Sequence, residues 1–206
     1  MKIIKNLRKK NVYLAEENNE RYVIKVPLSN NINSIIPFMI TNAIKEIVGI
    51  KKLSQEIITF KSSPALKMNY LEDTCTLDKT KIFNLEGSIE ILMKTIILDI
   101  IIGNGDRFES NMLVNNKGIV YPIDDTFSCN NNCCLQFKNP LRKIIMRKIQ
   151  LRYNEIINLV PNKNKIINTI VHMCANYNVN DFKYINYIRK LNIKEDIERY
   201  FKMSIQ

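Results

Sequence analysis

The chain has 206 residues, with 31 Lys and Arg against 20 Asp and Glu, for a formal net charge of +11. At 46% hydrophobic and 25% charged residues it is too apolar to be disordered, and 5 Gly and 6 Pro exclude a collagen-like or linker protein. The 35 Ile and 28 Asn, with abundant Lys, are what AT-rich codons produce, so the charge is weak support for a nucleic-acid partner.

The N-terminus, M-K-I-I-K-N-L-R-K-K, is basic but lacks the apolar core of a signal peptide. The longest apolar stretch, residues 89–102, carries Glu90, Lys94 and Asp99 and is too short to cross a bilayer. Cys75, Cys129, Cys133, Cys134 and Cys174 make an odd count without a secretory signal, which favours reduced thiols. The expected location is the cytoplasm, or a host's cytoplasm.

In chain order, residues 11–15 (N-V-Y-L-A) and 21–26 (R-Y-V-I-K-V) read as two strands of a hairpin, joined by the polar turn E-E-N-N-E. Residues 35–48 suit a helix, with Gly49 as its left-handed cap. Residues 57–60 and 65–71 look like two further strands. From Leu85 the apolar residues fall at i, i+3, i+4 spacing as far as Ile101, a helix stopped by Gly103. Residues 112–115 and 119–123 flank the turn N-N-K-G and form a second hairpin. Residues 140–201 alternate helical patterns with breaks near Pro161, Asn178 and Asn192.

The polar residues of interest lie between the long helix and that second hairpin. The loop reads G-N-G-D-R-F-E-S-N, and the hairpin's last strand ends at Ile123-Asp124-Asp125. Asp106, Asn111 and Asp124 are hard-oxygen side chains suited to Mg²⁺ and phosphate chemistry. Lys25 stands inside the apolar run Y-V-I-K-V, where an ammonium needs a partner. Phosphoryl transfer uses such a set: a Lys on phosphate oxygens, two metal ligands and a carboxylate that orients the attacking hydroxyl.

The segment G-N-G-D-R-F-E-S-N-M-L-V, followed by I-V-Y-P-I-D-D, resembles the catalytic segment of atypical kinases, the HipA-like protein kinases and the phosphatidylinositol kinases. The resemblance implies an α+β, two-lobed protein kinase-like fold over residues 1–206, with a small β-rich N-lobe (about 1–72) and a mainly helical C-lobe (about 73–206). It implies ATP and Mg²⁺ as cofactors, Asp106 as catalytic residue, Asn111 and Asp124 as metal ligands, and Lys25 on the nucleotide. Glu46 is the helix acid expected to pair with Lys25. Phe108 stands where the family usually has His, and the turn E-E-N-N-E carries three acids and no Gly, which would repel ATP rather than cradle it. The resulting expectation is a Ser/Thr protein kinase of compact type. A phosphatidylinositol kinase and a catalytically inactive pseudokinase are the alternatives.

Other clusters read more plainly. The stretch Lys138–Arg152 holds Lys138, Arg142, Lys143, Arg147, Lys148 and Arg152. It is expected to be a solvated helical face, or a dock for an acidic or phosphoinositide surface beside a protein substrate. No aromatics interleave the charges, so no specific nucleic acid is expected. C-N-N-N-C-C at 129–134 is expected to hold reduced thiols rather than zinc. His172, the single histidine, is expected to be a hydrogen-bonded core or helix residue.

Overall fold

The computed structural model describes residues 1–8, 11–27, 29, 31–81, 83–105, 107–124, 127–129, 135–136, 141–179 and 182–205. Strands β1 (Lys2–Arg8), β2 (Val12–Glu17) and β3 (Glu20–Lys25) lead into helix α1 (Ile36–Val48). Then come β4 (Gln55–Phe60), β5 (Ser63–Asn69), the short β6 (Thr74–Thr76) and the long helix α2 (Leu85–Ile102). β7 (Arg107–Phe108), β8 (Met112–Asn115), β9 (Val120–Pro122) and β10 (Leu135–Gln136) follow. The chain closes with α3 (Leu141–Leu151), α4 (Tyr153–Asn158), α5 (Lys163–Asn176), α6 (Lys183–Lys190) and α7 (Ile193–Ile205).

The first sheet is antiparallel in the order β1-β2-β3-β5-β4. β1 is an addition to the expected elements. Its register on β2 slips between Ile3 and Lys5 and again between Asn6 and Arg8, so the segment never shows a clean two-residue alternation. The hairpin between β2 and β3 turns at Asn18 and Asn19, both with positive φ (53° and 64°), a conformation Asn tolerates. Helix α1 ends as expected at Gly49, whose φ of +76° lets its N–H cap the Glu46 and Lys45 carbonyls.

Ala15, Ile24, Phe60 and Ala65 form a small core on one face of this sheet, with Tyr13, Tyr22, Val26 and Ile58 packed around it. Across the same strands, Lys67 on β5 donates to Glu17 on β2 (2.8 Å) and pairs with Glu56 on β4 (2.8 Å). The hydrogen bond from Lys67 holds the Glu17 carboxyl below the usual range, and the two carboxylates hold the Lys67 ammonium above its own. For Glu17, whose folded value is depressed, the stabilisation is present above the ordinary carboxylate pKa of about 4.3 and is lost as pH falls through the folded value. Lys67 works in the other direction: its contribution is complete below about pH 10.4 and fades as pH rises through the folded value. Glu17→Gln should therefore flatten the acid limb of a urea-midpoint profile measured from pH 7 to pH 3; an acid limb as steep as wild type would refute the assignment.

The larger core is helical. α2 is apolar on nearly every side because it runs through the middle, with Ile96, Ile97, Leu98, Ile101 and Ile102 fully buried. α1 contributes Ile36, Ile40, Ile44 and Val48 to this core, which also takes Met112 and Val120 of the second hairpin and residues from every later helix. Asn84 caps α2 by accepting from the Gly87 N–H (2.9 Å), and Gly103 ends it at φ +65°. β6, β8 and β9 form a three-stranded antiparallel sheet beside α2, while β7 pairs in parallel with β10. The expected helical run through Arg152 is broken there, since α3 stops at Leu151 and α4 starts at Tyr153. This β-rich sheet followed by a mainly helical part is the expected α+β, kinase-like arrangement.

Candidate active site

Arg107 organises the site. It begins β7, at the end of the loop that leaves α2, and its side chain is completely buried. Its Nε and Nη2 donate to the two carboxylate oxygens of Asp99 (3.1 and 2.6 Å), a bidentate pair inside the protein. Asn104 donates to the same carboxylate (3.0 Å). The remaining nitrogen, Nη1, donates to the Ile123 carbonyl (2.9 Å) and, at 3.4 Å, to the Asn111 carbonyl. One guanidinium therefore binds both the residue before Asp124 and the backbone of Asn111. The Ile123 N–H also donates to the Asn111 carbonyl (3.0 Å), which closes the arrangement.

Asp124 follows directly, with φ +57°. That left-handed conformation costs most side chains about 1–2 kcal/mol, and Asp and Asn tolerate it best. The carbonyl before Ile123 is held as well: Lys45 of α1, itself buried, donates to the Pro122 carbonyl at 3.1 Å. Two buried cations thus bind consecutive carbonyls and set the direction in which the chain delivers Asp124.

Lys25, the last residue of β3, donates to Asp124 Oδ1 in a direct ion pair. Its ammonium also lies 4.1 Å from the centroid of the Phe38 ring on α1. Both members of the pair are only partly shielded, at 23% and 33% side-chain exposure, so it adds little to stability and leaves the oxygens within reach of a ligand.

Of the expected site residues, the structure brings Lys25, Asn111 and Asp124 to one place, while Asp106 lies outside the described residues. Glu46 does not join them. Its carboxylate faces solvent and pairs with Lys52, which also lowers its pKa. The physical reason is helical phase: Glu46 sits one position past buried Lys45, about 100° further round α1.

The acidic turn joins β2 to β3 as expected, but at the end of the hairpin away from Lys25. Glu17 and Glu20 pair at the far end of the β2–β3 hairpin, whereas Lys25 pairs with Val12, and Val12 with Arg8. The five-residue rise along β3 separates the turn from Lys25 by about 17 Å. The connection at the Lys25 end is the one from β1 to β2, Lys9-Lys10-Asn11, of which 9 and 10 lie outside the described residues. Asn11 is close by, since its carbonyl accepts from the Val26 N–H at 2.8 Å.

Asp99 and Arg107 were not among the expected site residues. Their signal was present as an acid within L-D-I-I-I, since a carboxylate in so apolar a run demands a buried cation.

Beyond Asp124, Phe127 packs on Tyr184 and Tyr187, with ring centroids 4.7 and 6.0 Å away. Ser128 bonds back to the end of α2, its Oγ to the Gly103 carbonyl and its N–H to the Ile102 carbonyl (2.8 Å). Among the basic residues of 138–152, Lys148 pairs with Glu86 and Arg152 with Glu155, while Lys143 and Arg147 are exposed. Lys138 and the Arg142 side chain lie outside the described residues, as do Cys133 and Cys134. His172 is on a helix, α5, but exposed rather than in a core, with its Nε2 3.0 Å from Asn176 Nδ2. Among the described residues no helix is long and apolar enough to cross a membrane.

The β-sheet, the central helix and the loop-hairpin site together define a protein with a protein kinase-like fold. A crystal structure of a Helicobacter pylori proinflammatory kinase, CtkA, is similar to 99% of this chain and 94% of its own, with a TM-score of 0.57 and 14% sequence identity. At that identity the likeness is one of fold. No family model and no curated protein matches the sequence.

Proposed function

We propose that this protein is an ATP- and Mg²⁺-dependent phosphotransferase acting on a hydroxyl acceptor, most readily a Ser or Thr of a protein. The observation that carries this reading is the Lys25–Asp124 ion pair, beside Asn111 and Ile123 carbonyls that one Arg107 guanidinium joins. Asn111 and Asp124 would hold Mg²⁺ through hard side-chain oxygens, and the Asn111 carbonyl accepts from the N–H of Ile123, the residue before Asp124. Bound there, the ion would neutralise charge on the phosphates. Lys25 exchanges its contact with Asp124 for the α- and β-phosphates of ATP. Asp106, one residue before Arg107, orients the acceptor and takes its proton. The acceptor oxygen forms a bond to the γ-phosphorus as the bond to the bridging oxygen breaks, and ADP leaves with that electron pair. One of the grounds for an inactive kinase, the acidic turn, carries less weight because no acid of that turn faces the Lys25 end of the sheet; Phe108 in place of the usual His remains.

Asp106→Ala tests the reading. Loss of a positioned base costs about 10²–10⁴ in rate. With radiolabelled ATP and Mg²⁺, wild type should label a mixed protein acceptor and the variant should not, while its circular dichroism and melting temperature stay at wild-type values. Equal labelling by both would overturn the proposal. Labelling of phosphatidylinositol vesicles alone would replace the protein acceptor with a lipid.

A further inference from the structure

We infer that the Phe38 ring, rather than a helix carboxylate, is the group with which α1 holds Lys25. The inference deepens the phosphotransferase reading, since Lys25 is the proposed nucleotide-binding cation. α1 presents Phe38, Thr41 and Lys45 along one line of the helix, at i, i+3 and i+7. The two outer members both meet the site: Phe38 lies under the Lys25 ammonium at 4.1 Å, and Lys45 reaches the Pro122 carbonyl at 3.1 Å. A cation at Lys45 cannot attract Lys25, and the neighbouring acid, Glu46, is turned to solvent with Lys52. An aromatic face attracts an ammonium through its quadrupole without adding a second carboxylate, so Lys25 stays positioned while it exchanges Asp124 for phosphate.

The rest of α1 supports this role. Its neighbouring stripe, Ile36, Ile40, Ile44 and Val48, is built into the main helical core, so the ring is carried on a helix that is fixed in place. Thr41 is buried between the two contacts and its Oγ1 donates to the Pro37 carbonyl (2.8 Å), which leaves no acid on that line of α1.

A double-mutant cycle between Lys25→Met and Phe38→Leu, read by urea denaturation of the nucleotide-free protein, tests the contact directly. The unfolding equilibrium constants should show a coupling of about 2- to 5-fold, the size of a partly exposed cation–π pair. Strictly additive effects would overturn the inference. The functional arm measures ATP kinetics: Phe38→Leu should raise KM for Mg–ATP about 3- to 10-fold with kcat nearly unchanged, and Phe38→Tyr, which keeps the ring, should restore it. An unchanged KM in Phe38→Leu, or no rescue by Tyr, counts against it. If wild type shows no Mg²⁺-dependent ATP binding at all, the phosphotransferase reading falls by itself, while the denaturation cycle still decides the ring contact.

Discussion

Asp124→Asn should abolish the Mg²⁺-dependent part of the stabilisation that ATP confers, while leaving the unliganded protein folded. Asn is the informative replacement because the backbone at 124 is left-handed, with φ +57°, and Ala there would add a conformational penalty of its own. The exchange removes one charge from the proposed metal donor and weakens the ion pair with Lys25. That pair is partly solvated on both sides, so its loss costs the free protein at most about 1 kcal/mol. The effect on the liganded state is larger. ATP at 100 times its Kd stabilises wild type by about 2.7 kcal/mol, which at this size is a shift of roughly 5–10 °C. A thermal-shift titration with ATP, Mg²⁺ and both together should show that shift in wild type and only a Mg²⁺-independent remnant in the variant. Equal shifts in the two proteins would remove Asp124 from the metal site.

Arg107→Met should be the most damaging single change to the fold near the site. It leaves the fully buried Asp99 carboxylate without its guanidinium, a loss of about 3–5 kcal/mol. For a chain of this length that corresponds to a fall in melting temperature of roughly 6–20 °C. Pairing it with Asp99→Leu removes the stranded charge and should recover most of the stability, because apolar residues of similar volume replace buried ion pairs at little cost. Activity should not return with it. The Asn111 and Ile123 carbonyls would still lack the guanidinium they share and keep only the Ile123 N–H bond between them, so the two proposed metal donors are held less firmly. Denaturation midpoints and turnover, measured on the same three proteins, separate these contributions. Recovery of turnover in the double variant would show that Arg107 serves stability alone.

Much of this was legible in the primary structure. The helices over Ile36–Val48 and Leu85–Ile102 declare themselves through apolar spacing and the glycine that follows each. The hairpin over 112–122 is announced by N-N-K-G, where Gly118 takes φ +75° and Asn115 Oδ1 accepts from the Lys117 and Ile119 N–H groups. Lys25 stands out as an ammonium inside an apolar run, and Asp106, Asn111 and Asp124 as hard-oxygen side chains on a loop and at a strand end whose pattern resembles a kinase segment. Local pattern determined these elements because period, cap and turn chemistry act within a few residues.

The tertiary structure decided the pairings. Which connection lies at the Lys25 end of β3 depends on the pairing of β1, and β1 hid that pairing behind two slips of its ladder. Whether α1 offers Lys25 an acid or a ring depends on the helix's rotation, which its buried isoleucines set against the main core. Arg107 reaches Asp99, Asn111 and Ile123 only because the loop after α2 folds back along that helix and the hairpin closes over it. These are contacts across 4 to 16 residues of sequence at the site and 99 between Lys25 and Asp124. Their geometry follows from how the sheet, α1 and α2 share buried surface, a quantity that exists only once the chain has packed.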